Sequence, residues 1–219
     1  GCVTLLELYK KCKAPPQHRA TVPLLIDPGD GNNLQPKLIG NESSDLIRIL
    51  NNWPVNKYKI ELAPEECNEN LKSLEKIIQD KINDGVYRCG FARTQKAYDA
   101  ASHELFEALG LIEKTLKGKG PWLCGNKITL ADIILFPTLI RWEIIYEPLF
   151  KCSKESLLSF PNIIAWRKRL FENHLVEETC DSISWVNDYY GALFPLNPSN
   201  IVPLSKSLHR VINPPLGNL

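Results

Sequence analysis

Two adjacent polar residues, Glu42 and Ser43, stand at the start of a segment whose pattern predicts a helix. The segment reads N-E-S-S-D-L-I-R-I-L from Asn41 onward. Because the first N–H groups of a helix have no partners inside it, this end can bind a carboxylate with help from the Ser43 hydroxyl. Glu42 can pair with an amine beside it. The same pattern also fits a simple helix cap made by Asn41, Ser43 or Ser44.

The seven cysteines form no pattern typical of a metal site or a disulfide framework. They are odd in number, widely spread and never arranged as C-x-x-C, and the four histidines are equally scattered. This spacing predicts a reducing compartment and predicts that most of the thiols are buried. Cys89 lies between Arg88 and Arg93, and we interpret it as a buried or incidental thiol.

Size and charge suit a globular protein that binds small molecules. The chain has 219 residues, 44% of them hydrophobic, which is enough to bury a core. Lys and Arg total 26 against 25 Asp and Glu, so the net charge of +1 favours neither nucleic acid nor a membrane as a partner. The sequence starts at Gly1 without a leader, so we expect a cytoplasmic protein and a fragment or processed piece.

Residues 1–56 predict a small αβ piece. The run T-V-P-L-L-I-D at 21–27 is rich in strand formers, and a turn rich in Gly and Asn follows at 28–35. A second short strand is predicted at 37–40, before the helix that starts near Ser43. The order of strand, hairpin, strand and helix indicates the second half of a thioredoxin-like domain.

Residues 57–219 predict an all-helical domain of five or more helices. Apolar residues recur at helical spacing in four segments, at 71–82, 97–116, 162–173 and 177–190. The tail after residue 195 is rich in proline and has little periodicity. The predicted fold class is therefore mainly α, with an αβ piece in front of an all-helical domain.

A further helix is predicted from the motif T-L-A-D at 129–132. Thr129 and Asp132 fit a capping box in which Asp replaces the usual Glu, and we interpret both residues as structural. The apolar helix that follows contains Pro137, which should kink it. This apolar stretch is too short to span a membrane and is better explained as a core helix.

Six segments of the chain occur in an order that is typical of one family. They are T-V-P-L-L-I-D at 21–27, N-E-S-S at 41–44, I-N-D-G-V-Y-R-C-G-F-A at 82–92, G-N-K-I-T-L-A-D at 125–132, L-I-R-W-E-I-I-Y-E-P-L-F-K-C at 139–152, and Y-Y with L-N-P at 189–198. Together they resemble the glutathionyl-hydroquinone reductases, a branch of the glutathione transferase superfamily, over about residues 5–203. The resemblance implies an all-helical glutathione transferase C-terminal domain preceded by the second half of a thioredoxin-like α/β domain.

The resemblance implies that part of the chain binds glutathione. Val22 and Pro23 match a step that, in the family, holds a cis peptide bond and pairs the Val backbone with glutathione. Glu42 and Ser43 match the residues that would hold the amino and carboxylate groups. The alternative is that N-E-S-S is only a helix cap and that Pro23 is an ordinary strand proline.

The resemblance also implies a catalytic role for two tyrosines. Tyr87 and Tyr189 match the tyrosines that line the hydroquinone pocket, where a phenol can donate a hydrogen bond to a substrate oxygen. The neighbouring Tyr190 leaves the register at Tyr189 open by one residue. The alternative is that both tyrosines are ordinary core or interface aromatics.

The activity implied by the resemblance is the removal of glutathione from glutathionyl-hydroquinones by a cysteine thiolate. Because this sequence lacks the family's Cys-Pro dipeptide, we expect the nucleophile to lie upstream and this chain alone to be inactive. The expected co-substrate is glutathione and the partners are quinol-type small molecules, with no metal and with a homodimer as the family's common state. Two alternatives stay open, a non-catalytic binding or scaffold protein and a conjugating transferase.

Overall fold

The computed structural model describes residues 2–15, 19–29, 35–54, 60–193, 195–204 and 207–214. The chain divides into two compact units, one of residues 1–61 and one of residues 62–219. The boundary expected from the sequence, between residues 56 and 57, falls in the stretch 55–59 outside the described residues. The assignment of the first unit to half of a thioredoxin-like domain stays a prediction.

The described residues of the first unit form two helices and a two-stranded antiparallel sheet. Its elements are α1 (Leu5–Lys11), β1 (Leu25–Asp27), β2 (Lys37–Gly40) and α2 (Ser43–Asn51). Leu25 pairs with Gly40 and Asp27 with Lys37. The first strand is shorter than predicted, since pairing begins only at Leu25, and residues 30–34 of the expected turn lie outside the described residues.

Helix α1 was not predicted from the sequence. Thr4 and Glu7 form a capping box at its start, and each side chain bonds the other's backbone N–H. Tyr9 is buried on the inner face of the helix, and its hydroxyl donates to the Thr21 carbonyl oxygen at 2.8 Å. This bond connects α1 to the segment that leads into β1.

The second unit is helical, as expected. Its α-helices are α3 (Asn68–Ile77), α4 (Asp84–Gly90), α5 (Gln95–Lys119), α6 (Leu130–Ile140), α7 (Pro161–Phe171), α8 (His174–Glu177), α9 (Ser182–Ala192) and α10 (Leu208–Ile212). Two wider π-helical turns, Ile78–Asn83 and Trp142–Tyr146, follow α3 and α6. Within the described residues, no helix is long and apolar enough to cross a membrane.

The predicted apolar periodicity corresponds to the core of this unit. The buried side chains between 71 and 86 and on α5 pack together with those of α6 and α7. A π-helical turn widens the backbone between α3 and α4. Asn83, at the end of that turn, donates to the Ile134 carbonyl oxygen at 3.2 Å and accepts from the Thr138 hydroxyl at 2.6 Å. Side chains therefore attach the widened turn to α6.

The predicted capping box of Thr129 and Asp132 is present at the start of α6. The Asp132 carboxylate also accepts hydrogen bonds from Leu123 N at 3.0 Å and from Trp166 Nε1 at 2.8 Å. All four residues are buried. Asp132 therefore connects the start of α6 both to the preceding loop and to α7.

Two predictions for the C-terminal part were wrong in detail. The helix predicted at about 177–190 is α9, but it begins only at Ser182, because Asp181 caps α9 by accepting from Ile183 N and Ser184 N, both at 3.1 Å. The tail contains α10, which the weak periodicity did not indicate. The buried Arg167 guanidinium donates to the Val211 carbonyl oxygen of α10 at 2.8 Å and pairs with Glu143 at 2.7 Å.

Candidate functional site

Tyr87 and Tyr189, which are 102 positions apart, meet in the second unit. Their hydroxyl oxygens lie 2.9 Å apart, and the hydroxyl of Tyr189 lies 2.9 Å from that of Tyr146. Tyr189 therefore joins the other two phenols in a chain of hydrogen bonds. Tyr146 is only 3% exposed, whereas Tyr87 is 39% exposed and forms the outer end of the chain.

The three tyrosines pack around the ring of Phe150. The ring centroids of Tyr87 and Tyr146 each lie 5.2 Å from that of Phe150, edge to face, and Tyr189 lies 5.9 Å away. Phe91 stacks parallel to Tyr87 with the centroids 6.5 Å apart. These contacts stabilise the positions of the rings. We call Tyr87, Phe91, Tyr146, Phe150 and Tyr189 the aromatic cluster.

Three elements position the cluster. Helix α4 presents Tyr87, the turn Trp142–Tyr146 ends at Tyr146, and α9 presents Tyr189. Helix α4 can approach Phe150 closely only because its last residue is Gly90. A Cβ atom at that position would lie 2.4 Å from Phe150 Cδ1, well inside contact distance.

The surroundings raise the pKa of two of the phenols, Tyr87 and Tyr146. Burial, together with the hydrogen bond to Tyr189, raises the pKa of Tyr87 to about 12, although Arg141 opposes the shift. Burial also raises the pKa of Tyr146 strongly. Both groups are therefore neutral hydrogen-bond donors at physiological pH. Such a chain of donors can bind a substrate oxygen or stabilise negative charge that develops on it.

Tyr87 and Phe91 line a cavity of about 610 Å³ on the surface of the unit. The opposite wall comes from α5 and includes Ala97 and Ala101, and the rim is charged. Arg88 and Glu104 form an ion pair of 2.9 Å at this rim. Tyr87 thus borders open space, and its hydroxyl bonds another phenol rather than a core carbonyl.

The four residues expected to bind glutathione lie in the first unit. The Val22–Pro23 peptide bond is cis, and Val22 is 75% exposed. Glu42 and Ser43 are exposed at the start of α2. Because Leu25 pairs with Gly40, the residues before β1 and those after β2 lie at the same end of the hairpin.

The capping interpretation of N-E-S-S was wrong in one respect. The N-cap residue of α2 is Glu42 rather than Asn41, Ser43 or Ser44, and its side chain makes no capping hydrogen bond. The Glu42 carbonyl oxygen accepts from Asp45 N and Leu46 N at 3.1 and 3.0 Å. Side-chain capping therefore does not account for this motif.

Three members of the aromatic cluster were not recognised as site residues from the sequence: Phe91, in the family segment at 82–92, and the pair Tyr146 and Phe150. Tyr146 and Phe150 lie in the segment 139–152, which was used only to identify the family. Their spacing of four residues would place them on one side of a helix, and this was the available signal. Of the two neighbouring tyrosines, Tyr189 rather than Tyr190 bonds the other two phenols.

The cysteines are less buried than predicted. Cys12, Cys89 and Cys152 are buried, three others are half-buried and Cys2 is exposed, and all seven are free thiols. Among the described residues, no group of three or more His, Cys, Asp and Glu side chains is placed to hold a metal ion.

Comparison with known proteins identifies the helical unit. The profile of the family "Glutathione S-transferase, C-terminal domain" matches residues 70–173. Glutathionyl-hydroquinone reductase PcpF of Sphingobium chlorophenolicum is 35% identical over 211 residues, which are 93% of this chain and 64% of that protein. The chain spans 60–64% of the length of PcpF and of YqjG, the glutathionyl-hydroquinone reductase of Escherichia coli.

Solved structures agree with this result. Glutathione transferase Xi 1 from Trametes versicolor superposes with a TM-score of 0.83 at 34% identity, over 92% of this chain and 70% of that one. The glutathione-bound structure of YqjG superposes with a TM-score of 0.85 at 30% identity, over 93% and 66%. The chain therefore belongs to the glutathione transferase superfamily, in the family of the glutathionyl-hydroquinone reductases and Xi-class transferases.

Proposed function

We propose that this chain serves a glutathione-dependent reductase that removes glutathione from glutathionyl-hydroquinones. The observation that carries the proposal is the chain of three phenols, whose outer member, Tyr87, borders a cavity. A hydroquinone presents an aromatic ring and two oxygens. The cluster offers rings for stacking and neutral hydroxyl donors for the oxygens.

The proposed reaction is a thiol–disulfide sequence. A cysteine thiolate attacks the glutathionyl sulfur, the bond between sulfur and the ring carbon breaks, and the ring carbon gains a proton as the hydroquinone leaves. A second glutathione thiolate then attacks the mixed disulfide, which releases glutathione disulfide and restores the cysteine. Tyr87 and Tyr189 would donate hydrogen bonds to the hydroquinone oxygen as its charge changes.

We further propose that Val22, Pro23, Glu42 and Ser43 hold glutathione. The unused N–H groups of the first turn of α2 and the Ser43 hydroxyl suit a carboxylate. The Glu42 carboxylate suits the α-amino group, and the exposed backbone at Val22 can pair with an extended peptide. The absence of a side-chain cap at Glu42 supports this role, because its carboxylate is then available to a ligand.

The nucleophile of this proposal is not one of the seven cysteines of this chain. None of them precedes a proline, and the only cysteine within three residues of Tyr87 along the chain, Cys89, is buried. We therefore expect the 219-residue chain to show no reductase turnover with glutathione and a glutathionyl-hydroquinone. Turnover that disappears when one of these cysteines is replaced by serine would contradict this assignment.

Binding to the aromatic cluster can be tested without turnover. We expect Tyr87→Phe and Tyr189→Phe to weaken binding of a glutathionyl-hydroquinone by about three- to tenfold, the effect of one neutral hydrogen bond. Tyr190→Phe is the matched control, because Tyr190 is the next residue on α9 and lies outside the cluster. Isothermal titration calorimetry measures the affinity of each of the three variants. Equal affinities for the three variants and the unmodified chain would refute the pocket, and an absence of binding would favour the scaffold alternative.

The glutathione residues need a separate measurement with glutathione alone. We expect Glu42→Gln to weaken binding by about tenfold or more, since it removes a charge-assisted contact, and Ser43→Ala to weaken it less. Ser44→Ala is the control, because Ser44 is equally exposed in the same turn. NMR titration of the ligand detects even millimolar binding. If Glu42→Gln binds glutathione as well as Ser44→Ala does, the assignment of Glu42 is wrong.

A further inference from the structure

Cys89 and Cys152 form a buried pair of thiols, although they are 63 positions apart. The two side chains are hydrogen-bonded to each other. Cys89 is 1% exposed and Cys152 is fully buried. Cys152 Sγ also lies 4.0 Å from the Val86 carbonyl oxygen, one turn before Cys89 on α4. The second thiol therefore packs directly against the helix that carries the first.

The backbone around Cys152 is fixed. Its N–H donates to the Tyr146 carbonyl oxygen at 3.0 Å, and the Tyr98 hydroxyl donates to the preceding carbonyl oxygen, that of Lys151, at 2.7 Å. The close approach of Gly90 to Phe150 holds α4 against the same segment. The contact between the two sulfurs is therefore a property of the fold rather than of one mobile side chain.

We propose that Cys89 and Cys152 are an oxidisable dithiol, which a small hydroperoxide converts into an intramolecular disulfide. The proposal does not depend on the reductase function. It requires a path for the oxidant to one sulfur, a thiolate at that sulfur, and a second thiol within reach. The structure offers each of these.

A second cavity, of about 410 Å³, provides the path. Cys89 contributes to its wall together with Arg93 and Lys151. A hydroperoxide is small and polar enough to enter it. Glutathione disulfide is far larger, and the sulfur of Cys89 is almost completely covered, so direct exchange with it is disfavoured.

Cys89 is the thiol that reacts first. The hydrogen bond from Cys152 lowers the pKa of Cys89, burial opposes this, and the charge of Arg88 adds to the lowering. The same hydrogen bond, together with burial, raises the pKa of Cys152. Cys152 therefore keeps its proton, and Cys89, which lines the cavity, is the thiol that deprotonates more readily.

The chemistry balances with the hydroperoxide as the sole oxidant. The Cys89 thiolate attacks the terminal oxygen of the hydroperoxide, the O–O bond breaks, and Cys89 becomes a sulfenic acid. The leaving alkoxide or hydroxide takes up the proton that Cys89 gave up and departs as an alcohol or water. The Cys152 sulfur then attacks the Cys89 sulfur, the S–O bond breaks and water leaves. Two electrons pass from the two thiols to the peroxide, and two molecules of a thiol can later reduce the disulfide to the dithiol.

The test is disulfide mapping of the full 219-residue chain after treatment with hydrogen peroxide. Free thiols are blocked with N-ethylmaleimide and the protein is digested with trypsin without reduction. Trypsin releases Cys89 in the peptide C-G-F-A-R and Cys152 in C-S-K. We expect mass spectrometry to find these two peptides joined, and dithiothreitol to separate them.

Variants show whether Cys89 acts first. We expect Cys89→Ser to slow the loss of the Cys152 thiol by about tenfold or more, because the attacking thiolate is gone. Cys152→Ser should leave Cys89 as a sulfenic acid, which dimedone traps. Cys180→Ser is the control and should leave the cross-link unchanged, since the Cys180 sulfur bonds the Val176 carbonyl oxygen at 3.3 Å within its own segment.

The proposal is overturned if the unmodified chain shows Cys89 alkylated or over-oxidised without the cross-linked peptide. It is also overturned if peroxide joins only exposed cysteines, such as Cys2, between molecules. Because the mapping uses the unmodified chain, its outcome stands even if a serine variant fails to fold. Circular dichroism of each variant identifies that case, and Cys89→Ala then replaces Cys89→Ser.

Discussion

Replacing Asp132 with alanine should destabilise the helical unit more than any single change on its surface. The carboxylate is fully buried and accepts four hydrogen bonds. Oδ1 accepts from Leu123 N and Trp166 Nε1, and Oδ2 accepts from the N–H and the hydroxyl of Thr129. Alanine removes every acceptor and leaves three N–H groups buried with no replacement.

The magnitude follows from these donors. Each buried N–H that loses its acceptor costs about 1–3 kcal/mol, whereas the Thr129 hydroxyl can rotate toward another partner. Removal of a buried charge offsets part of the loss, and burial indeed raises the pKa of Asp132. We therefore expect Asp132→Ala to lower the free energy of unfolding by about 3–5 kcal/mol. Asp132→Asn should cost less, about 1–3 kcal/mol, because its amide oxygen can still accept from two donors.

Urea denaturation followed by tryptophan fluorescence measures these differences. The slope of the transition should stay constant while its midpoint falls, since the surface exposed on unfolding is unchanged. Trp166→Phe is the informative control, because it removes one donor and leaves the carboxylate with three. We expect it to cost less than Asp132→Ala. A loss below about 1 kcal/mol for Asp132→Ala would show that water or local rearrangement satisfies the donors, and would refute this reasoning.

Three further predictions concern packing, a buried ion pair and alkaline pH. Gly90→Ala should destabilise the chain by about 1–3 kcal/mol, because the new methyl group would overlap the ring of Phe150. Gly110→Ala is the control: its methyl group meets nothing within 4 Å, and it should stabilise the chain by about 0.5–1 kcal/mol. Urea denaturation measures both differences. Arg167→Met should lower the free energy of unfolding by about 3–5 kcal/mol, because it leaves the half-buried carboxylate of Glu143 without its partner. The same denaturation should show a smaller loss when both Arg167 and Glu143 are made apolar. The pKa of Tyr87 is raised from 10 to about 12 in the folded chain. The stabilisation that this shift provides should be complete below pH 10 and disappear as the pH rises through 12. In Tyr87→Phe, alkaline denaturation should lack the part of the stability loss that comes from ionisation of Tyr87.

Local sequence patterns were sufficient to predict most helices of the second unit. The apolar periodicity of 97–116 corresponds to α5, and the capping box at Thr129 marks the first residues of α6. These signals depend only on neighbours three or four positions apart, which a sequence displays directly. The same reasoning located the helix predicted at 177–190 but not its first residue, because the capping side chain of Asp181 starts α9 at Ser182.

Contacts between distant residues could not be predicted in this way. The hydrogen bond that Asp132 accepts from Trp166 depends on how α6 packs against α7. The pairing of Cys89 with Cys152 likewise depends on the approach of α4 to the segment after Phe150. The meeting of Tyr87 with Tyr189 was expected only because the motifs resemble a known family. Tyr146 lies in the family segment 139–152 but was missed, because that segment was used only to identify the family.

Helix α4 separates the two sites that the structure suggests. Two residues along an α-helix correspond to a rotation of about 200°, so Tyr87 and Cys89 face nearly opposite directions. Tyr87 accordingly lines the cavity beside α5, and Cys89 lines the cavity beside Lys151. A peroxide could therefore reach the dithiol without passing the phenols, while a disulfide at Cys89 would still act on the backbone that holds Tyr87. The two sites are chemically separate, but they share one rigid helix.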